Sequence, residues 1–279
     1  MIADALDVLG AEQEMRAGRD VARIFHHIGQ QFAKQRRVHG VDLVVTVAHE
    51  ADPVDRARGV NVKNFLELGE RQIAESVQAL AKRDTRLAQR VVSLDPAIDT
   101  LQREVEERAI LTIARRQPMA VDLREIVAAL RVSNDLERIG DLAKNIAKRV
   151  IVLDTDFLPH KVIRGVEHMT DLVLSQLKDV LDAYARHDLN KAMAVWRGDE
   201  EIDAVNNSLF RELLTYMMED PRNITFCTHL LFCAKNIERM GDHATNIAET
   251  VYYIVEGRSL AEERPKGDTT SSATVPFPA

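Results

Sequence analysis

Aromatic residues make up only 5% of the 279 positions, and the chain holds just 12 glycines and 8 prolines. All-β sandwiches draw on aromatic strands and on turns rich in Gly and Pro, so this composition gives them little to build with and favours helices. Positive charge is outnumbered: 37 Lys and Arg against 44 Asp and Glu leave a net charge of −7, which argues against nucleic acid as a partner. Long apolar runs are missing as well. The longest, VDLVVTVA at 41–48, falls far short of the ~20 residues that a membrane span needs. The opening MIADALDVLG is acidic and lacks the basic start of a secretory signal, so a soluble, cytoplasmic protein is expected. The two cysteines, Cys227 and Cys233, lie six apart on one expected helix and point to different faces. They read as buried small apolar side chains in a reducing compartment rather than as a disulfide or metal pair.

What the chain does have is helical periodicity. The pattern predicts helices over 62–84, 85–117 and 119–152, then over 162–187, 188–219 and 223–257, with Asp95-Pro96 a kink or break and LDTDFLPH a linker. The scheme is written twice. Residues 134–148, NDLERIGDLAKNIAK, and 235–249, KNIERMGDHATNIAE, share eight of fifteen positions at an offset of 101. AKRD at 81–84 and ARHD at 185–188 correspond at an offset of 104. Three amphipathic helices bury a common seam, so the expected fold is all-α: two tandem antiparallel three-helix bundles, spectrin-like, over 62–153 and 162–257. Residues 1–61 are poorly patterned, and their His26, His27, His39 and His49 read as solvated rather than metal-binding; 258–279 reads as a disordered tail.

The repeated acids are the candidate site. Leu136, Ile139, Ala143, Ile146 and Val150 form the core stripe of the third helix, which turns Glu137 and Asp141 toward solvent on one shared face. Ile237, Met240, Ala244, Ile247 and Val251 do the same for Glu238 and Asp242. On the second helix of each half, Asp95 with Asp99 and Asp199 with Asp203 also face outward. Where such faces meet, four carboxylates line one shallow groove in each half. Like charges four apart destabilise a helix by roughly 0.2–0.5 kcal/mol per pair, so their repetition asks for a reason. A multivalent cation is one, since carboxylates are hard ligands for Mg, Ca, Mn or Fe and serve some Zn sites. Gly140 and Gly241 point the same way: glycine inside a helix costs about 1 kcal/mol against alanine, which suggests close approach of a backbone or an ion. The plainer alternative is a solvated face bridged by Arg138 and Arg239, with the glycines serving helix packing. His243 is a further ligand candidate without a counterpart in the first half; Asn145 and Asn246 read as polar surface or interhelical hydrogen-bond residues.

RRQPMAVDLREIVAALRVSNDLERIGDLAKNIAKRV, followed by FCAKNIERMGDHATNIAETVYY, resembles the PhoU family of bacterial phosphate-uptake regulators over roughly residues 62–257. The resemblance implies paired three-helix bundles with multinuclear metal clusters on Asp95/Asp99 with Glu137/Asp141 and on Asp199/Asp203 with Glu238/Asp242. It implies iron or zinc; the donor chemistry leaves manganese and magnesium open. It further implies negative regulation of phosphate uptake and of the phosphate-starvation response. The partners would be the ATP-binding subunit of the phosphate ABC transporter and the phosphate sensor histidine kinase, which would keep the chain peripheral to the membrane. Exposed helical faces are compatible with a homodimer. One departure stands out. HHIGQQF resembles the family's start, yet some 30 ill-patterned residues precede LGERQIAESV, where the pattern resumes. A shifted reading frame would account for it, and translating the other frames over codons 30–65 tests that.

A carboxylate-bridged di-iron enzyme would need inward Glu-x-x-His motifs, and none of the nine histidines has Glu three residues before it. There is no Walker A loop either, so an adaptor is expected rather than an enzyme, with a metal-free helical scaffold as the alternative.

Overall fold

The structure, a computed structural model, describes residues 62–153 and 160–262, all within the compact unit Val44–Ala279. The expectations for residues 1–61, for the reading frame there, for the linker over 154–159 and for the tail from 263 lie outside the described residues. Helix α1 spans Val62–Lys82, α2 Thr85–Arg116 and α3 Val121–Val152. Helix α4 spans His160–Arg186, α5 Leu189–Arg197 and α6 Asp199–Glu219; a 3-10 turn, Pro221–Asn223, leads into α7, Ile224–Glu256. No strand occurs among the described residues, and the all-α expectation holds.

The turn between the first two helices of each half is built by equivalent positions 104 residues apart. Arg83 and His187 adopt left-handed backbone, with φ of 51° and 52°. The next N–H, of Asp84 or Asp188, donates back to the carbonyl of Ala79 or Ala183. Each aspartate then caps the following helix, accepting from Leu87 N at 2.9 Å and from Lys191 N at 3.0 Å. Pro96 does not end α2, because Val91 and Ile98 on either side of it are fully buried and their packing outweighs the lost backbone bond. The single helix expected over 188–219 breaks instead at Gly198, whose carbonyl accepts from Gln176 Nε2 at 2.9 Å.

Helices α3 and α7 occupy the centre. Helix α3 packs on α1 and α2 and, across the repeat boundary, on α7; α7 packs on α4, α5 and α6; α1 also meets α4. The predicted stripes Leu136–Ile139–Ala143–Ile146–Val150 and Ile237–Met240–Ala244–Ile247–Val251 are all buried. Leu142, Ala147 and Ala248, off those stripes, are buried too, because a central helix has neighbours on more than one side.

Cys227 and Cys233 are buried free thiols, as expected. Burial pushes the Cys233 thiol up to about 12, against the opposing pull of Arg149. Its contribution to stability is therefore fully present below the ordinary thiol value and is lost as pH rises through about 12. The folded protein should leave both thiols unreactive toward Ellman's reagent at pH 8 and release both on denaturation; rapid labelling without denaturant would contradict this packing. Truncating the fully buried Ile98 to Ala should cost roughly 2–5 kcal/mol in urea unfolding.

Candidate metal centre

Each half brings its second and third helices together through an isoleucine set against a glycine. In the first half, a Cβ at Gly140 would stand 2.8 Å from Ile98 Cδ1 and 3.1 Å from Gln72 Oε1. In the second, a Cβ at Gly241 would meet Ile202 Cδ1 at 3.0 Å and Asp199 Oδ1 at 3.6 Å. The repeated glycines thus admit a neighbouring isoleucine side chain rather than a second backbone. Ile98 lies between Asp95 and Asp99, and Gly140 between Glu137 and Asp141, so docking the pair carries the flanking acids of both helices to one seam. Ile202 with Gly241 does the same for Asp199, Asp203, Glu238 and Asp242.

The expectation that these acids face solvent is corrected. Asp95 is 8% exposed, Asp199 and Asp203 3% each and Glu238 4%, while Asp99, Glu137, Asp141 and Asp242 are half-buried. A helical wheel assigns every position away from the apolar stripe to water, but the seam between two packed helices covers those positions as well.

In the first half, Lys144 bridges the two helices. Its Nζ donates to Asp95 Oδ2 at 2.6 Å and to Asp141 Oδ1 at 2.5 Å. Burial opposes the charged form, yet the hydrogen bonds to Asp141 and Asp95 outweigh it and hold the ammonium above the ordinary lysine range. Burial raises the Glu137 carboxyl, and the negative charges of Asp141 and Asp99 raise it further against the pull of Arg138. Glu137 therefore feels both Asp141 on its own helix and Asp99 across the seam. In the second half, Lys235 Nζ lies 2.9 Å from Glu238 Oε2.

His243 reaches across to the first half. Its Nδ1 lies 2.9 Å from Asp135 Oδ1 on α3, and Asn246 Nδ2 donates to the same oxygen at 3.3 Å. The two residues thus tie one half of the chain to the other. Asn145, the first-half counterpart of Asn246, is exposed.

Whether these residues suit the multivalent metal implied by the resemblance differs between the halves. In the first, an ammonium already sits between Asp95 and Asp141, and the donor set does not fit as it stands. In the second, three carboxylates under 5% exposed supply hard oxygen donors suited to a cation, and the Lys235 ammonium stands beside one of them, Glu238. There Asp199, Asp203, Glu238 and Asp242 would hold it, and it would supply positive charge to the seam. Among the described residues, no group of three or more His, Cys, Asp or Glu side chains is gathered into a ready ligand set.

Two residues escape a reading based on repeated acids. Lys144 shares a face with Asp141 by its spacing of three, which is a visible signal, but its bridge to Asp95 depends on the helix pairing. Asp135 gives no local signal, since its partners lie 108 and 111 positions away. Replacing Asp135 with Ala strips the acceptor from His243 and Asn246 together. It should cost about 1–3 kcal/mol in urea unfolding, with Asp135→Asn milder; an unchanged midpoint would show that the cross-tie adds nothing.

The PhoU domain model matches residues 62–150 and 166–251. A protein of Rhizobium meliloti described as a phosphate-specific transport system accessory protein PhoU homolog is 60% identical over 205 residues, 74% of this chain and 86% of its own. A Caulobacter vibrioides protein of the same description is 52% identical over 225 residues, 81% of this chain and 94% of its own. The crystal structure of PhoU from Pseudomonas aeruginosa superposes with a TM-score of 0.67 at 37% identity, covering 73% of this chain and 96% of that one. That of the phosphate transport system regulatory protein PhoU from Streptococcus pneumoniae gives 0.66 at 30% identity, covering 72% and 95%. With the family domain matched in both halves, and relatives of this identity spanning nearly their whole length, the chain belongs to the PhoU family.

Proposed function

We propose that the chain is an accessory protein of phosphate transport that restrains phosphate uptake and the phosphate-starvation response. It acts as a cytoplasmic adaptor between the ATP-binding subunit of the phosphate ABC transporter and the phosphate sensor histidine kinase, reaching the membrane only through those partners. The observation that carries this reading is the match of both halves to the PhoU domain, together with relatives described as phosphate-transport accessory proteins. The surface agrees with an adaptor. Ile110, Leu111, Met119 and Val121 are exposed around the turn between α2 and α3, and apolar side chains gathered at one end of a bundle suit contact with another protein. No described helix is long and apolar enough to cross a membrane.

In this reading the second-half cluster, Asp199, Asp203, Glu238 and Asp242, binds a multivalent cation that fixes the seam between α6 and α7. A metal-free scaffold is the second reading, favoured by the lack of a gathered ligand set among the described residues. A bacterium deleted for its own PhoU-family gene and carrying a phosphate-starvation reporter separates them. In phosphate-rich medium the wild-type chain should restore repression of the reporter. The variant with all four second-half acids changed to Asn or Gln should leave it derepressed. Full repression by that variant favours the metal-free scaffold, and failure of the wild-type chain where the resident gene succeeds would overturn the regulatory role.

A further inference from the structure

The two halves repeat their acids but not the residue that follows them. Three places beyond the last acid, the first half has Lys144 and the second Thr245. The difference falls inside the cluster. Lys144 Nζ reaches one carboxylate on each helix, Asp95 Oδ2 at 2.6 Å and Asp141 Oδ1 at 2.5 Å, and its side chain is only 19% exposed. Thr245 leaves no such bridge: its hydroxyl donates to the backbone carbonyl of Asp242 at 2.8 Å. In the second half Lys235 reaches Glu238 Oε2 at 2.9 Å from the preceding turn of the same helix, with its side chain 43% exposed where that of Lys144 is 19%.

An ammonium placed this way does for the first seam what a bridging metal ion would do. It neutralises charge between α2 and α3 and joins carboxylates on both through two short charge-assisted hydrogen bonds. It is also fixed to the chain, so no free ion competes with it on equal terms. A divalent ion seeking the same oxygens meets a positive charge already in contact with them. To enter, it must drive Lys144 out of a mostly buried position.

We infer that Lys144 is a tethered internal cation that closes the first-half cluster to multivalent metal, so that any metal the chain carries is confined to the second half. The closing of the first half stands on Lys144 alone; confinement to the second half rests on the cation-binding reading of Asp199, Asp203, Glu238 and Asp242 proposed above.

The test strips the full chain with chelator, reloads it with Mn2+ alone, removes unbound ion and measures Mn2+ per chain by elemental analysis, with circular dichroism to confirm folding. Lys144→Thr, which copies the second-half residue, should carry more Mn2+ than wild type. That gain should survive Asp199→Asn with Asp203→Asn and vanish when Asp95→Asn is added. A folded Lys144→Thr chain that loads no more than wild type would overturn the inference. A second arm needs no change at Lys144: Asp95→Asn with Asp141→Asn in the wild-type background should leave Mn2+ content unchanged, and a loss would overturn it equally. Failure of the second-half reading looks different. Wild type would then carry no more Mn2+ than its Asp199→Asn, Asp203→Asn form, while the extra Mn2+ of Lys144→Thr would still appear.

Discussion

The arrangement of both halves depends on the seating of an isoleucine against a helical glycine. Ile98 occupies the space where a side chain at position 140 would stand, and Ile202 presses on position 241 only slightly less closely. Glycine in mid-helix sacrifices about 1 kcal/mol of helix propensity, so the close approach it permits must return more than that through packing. Both isoleucines are fully buried, which is the return. The same contact has an electrostatic consequence. Acids flank the isoleucine on one helix and the glycine on the other, so every increment of apolar packing also pushes carboxylates out of water.

Carboxylates removed from water need a counter-charge, a proton or a hydrogen-bond network. In the first half the counter-charge is covalently built in, as Lys144 between Asp95 and Asp141. In the second half three of the four acids are more deeply covered, Thr245 stands at the position equivalent to Lys144, and Lys235 brings a positive charge to Glu238 from the preceding turn. Duplication preserved the steric device, while the lysine that reaches the acids stands three places beyond the last acid in the first half and before the first of the pair in the second. The central helices diverged as well: His243 and Asn246 on α7 converge on Asp135 of α3, whereas the residue matching His243 in the first half is Leu142. A protein built from two copies of one motif thus has halves that differ in polar chemistry while sharing a backbone plan.

Much of that plan was legible in the sequence. The helix limits, the core stripes through Leu136 and Ile237, the duplicated turn at Asp84 and Asp188, and the buried cysteines all follow from local spacing. The apolar pattern runs through the break at Gly198, although the glycine and the acidic Asp199-Glu200-Glu201 after it are local signals of a helix end and a new start. The burial of the acids is hidden from the sequence for a physical reason. Periodicity reveals the face with the most apolar residues, whereas burial of Asp199 or Glu238 depends on a neighbouring helix that periodicity does not see. The pairing of Lys144 with Asp95, 49 positions apart, is hidden by the same limit.

The most direct measurement of the central claim, that buried carboxylate seams in the two halves are neutralised by different cations, is a crystal structure of the Mn2+-soaked protein with anomalous data at the manganese edge. The account predicts anomalous density between α6 and α7, beside Gly241, and an ordered Lys144 side chain still between Asp95 and Asp141. Anomalous density between α2 and α3 with Lys144 displaced into solvent, or carboxylates of both halves turned outward with no cation of either kind against them, would contradict it.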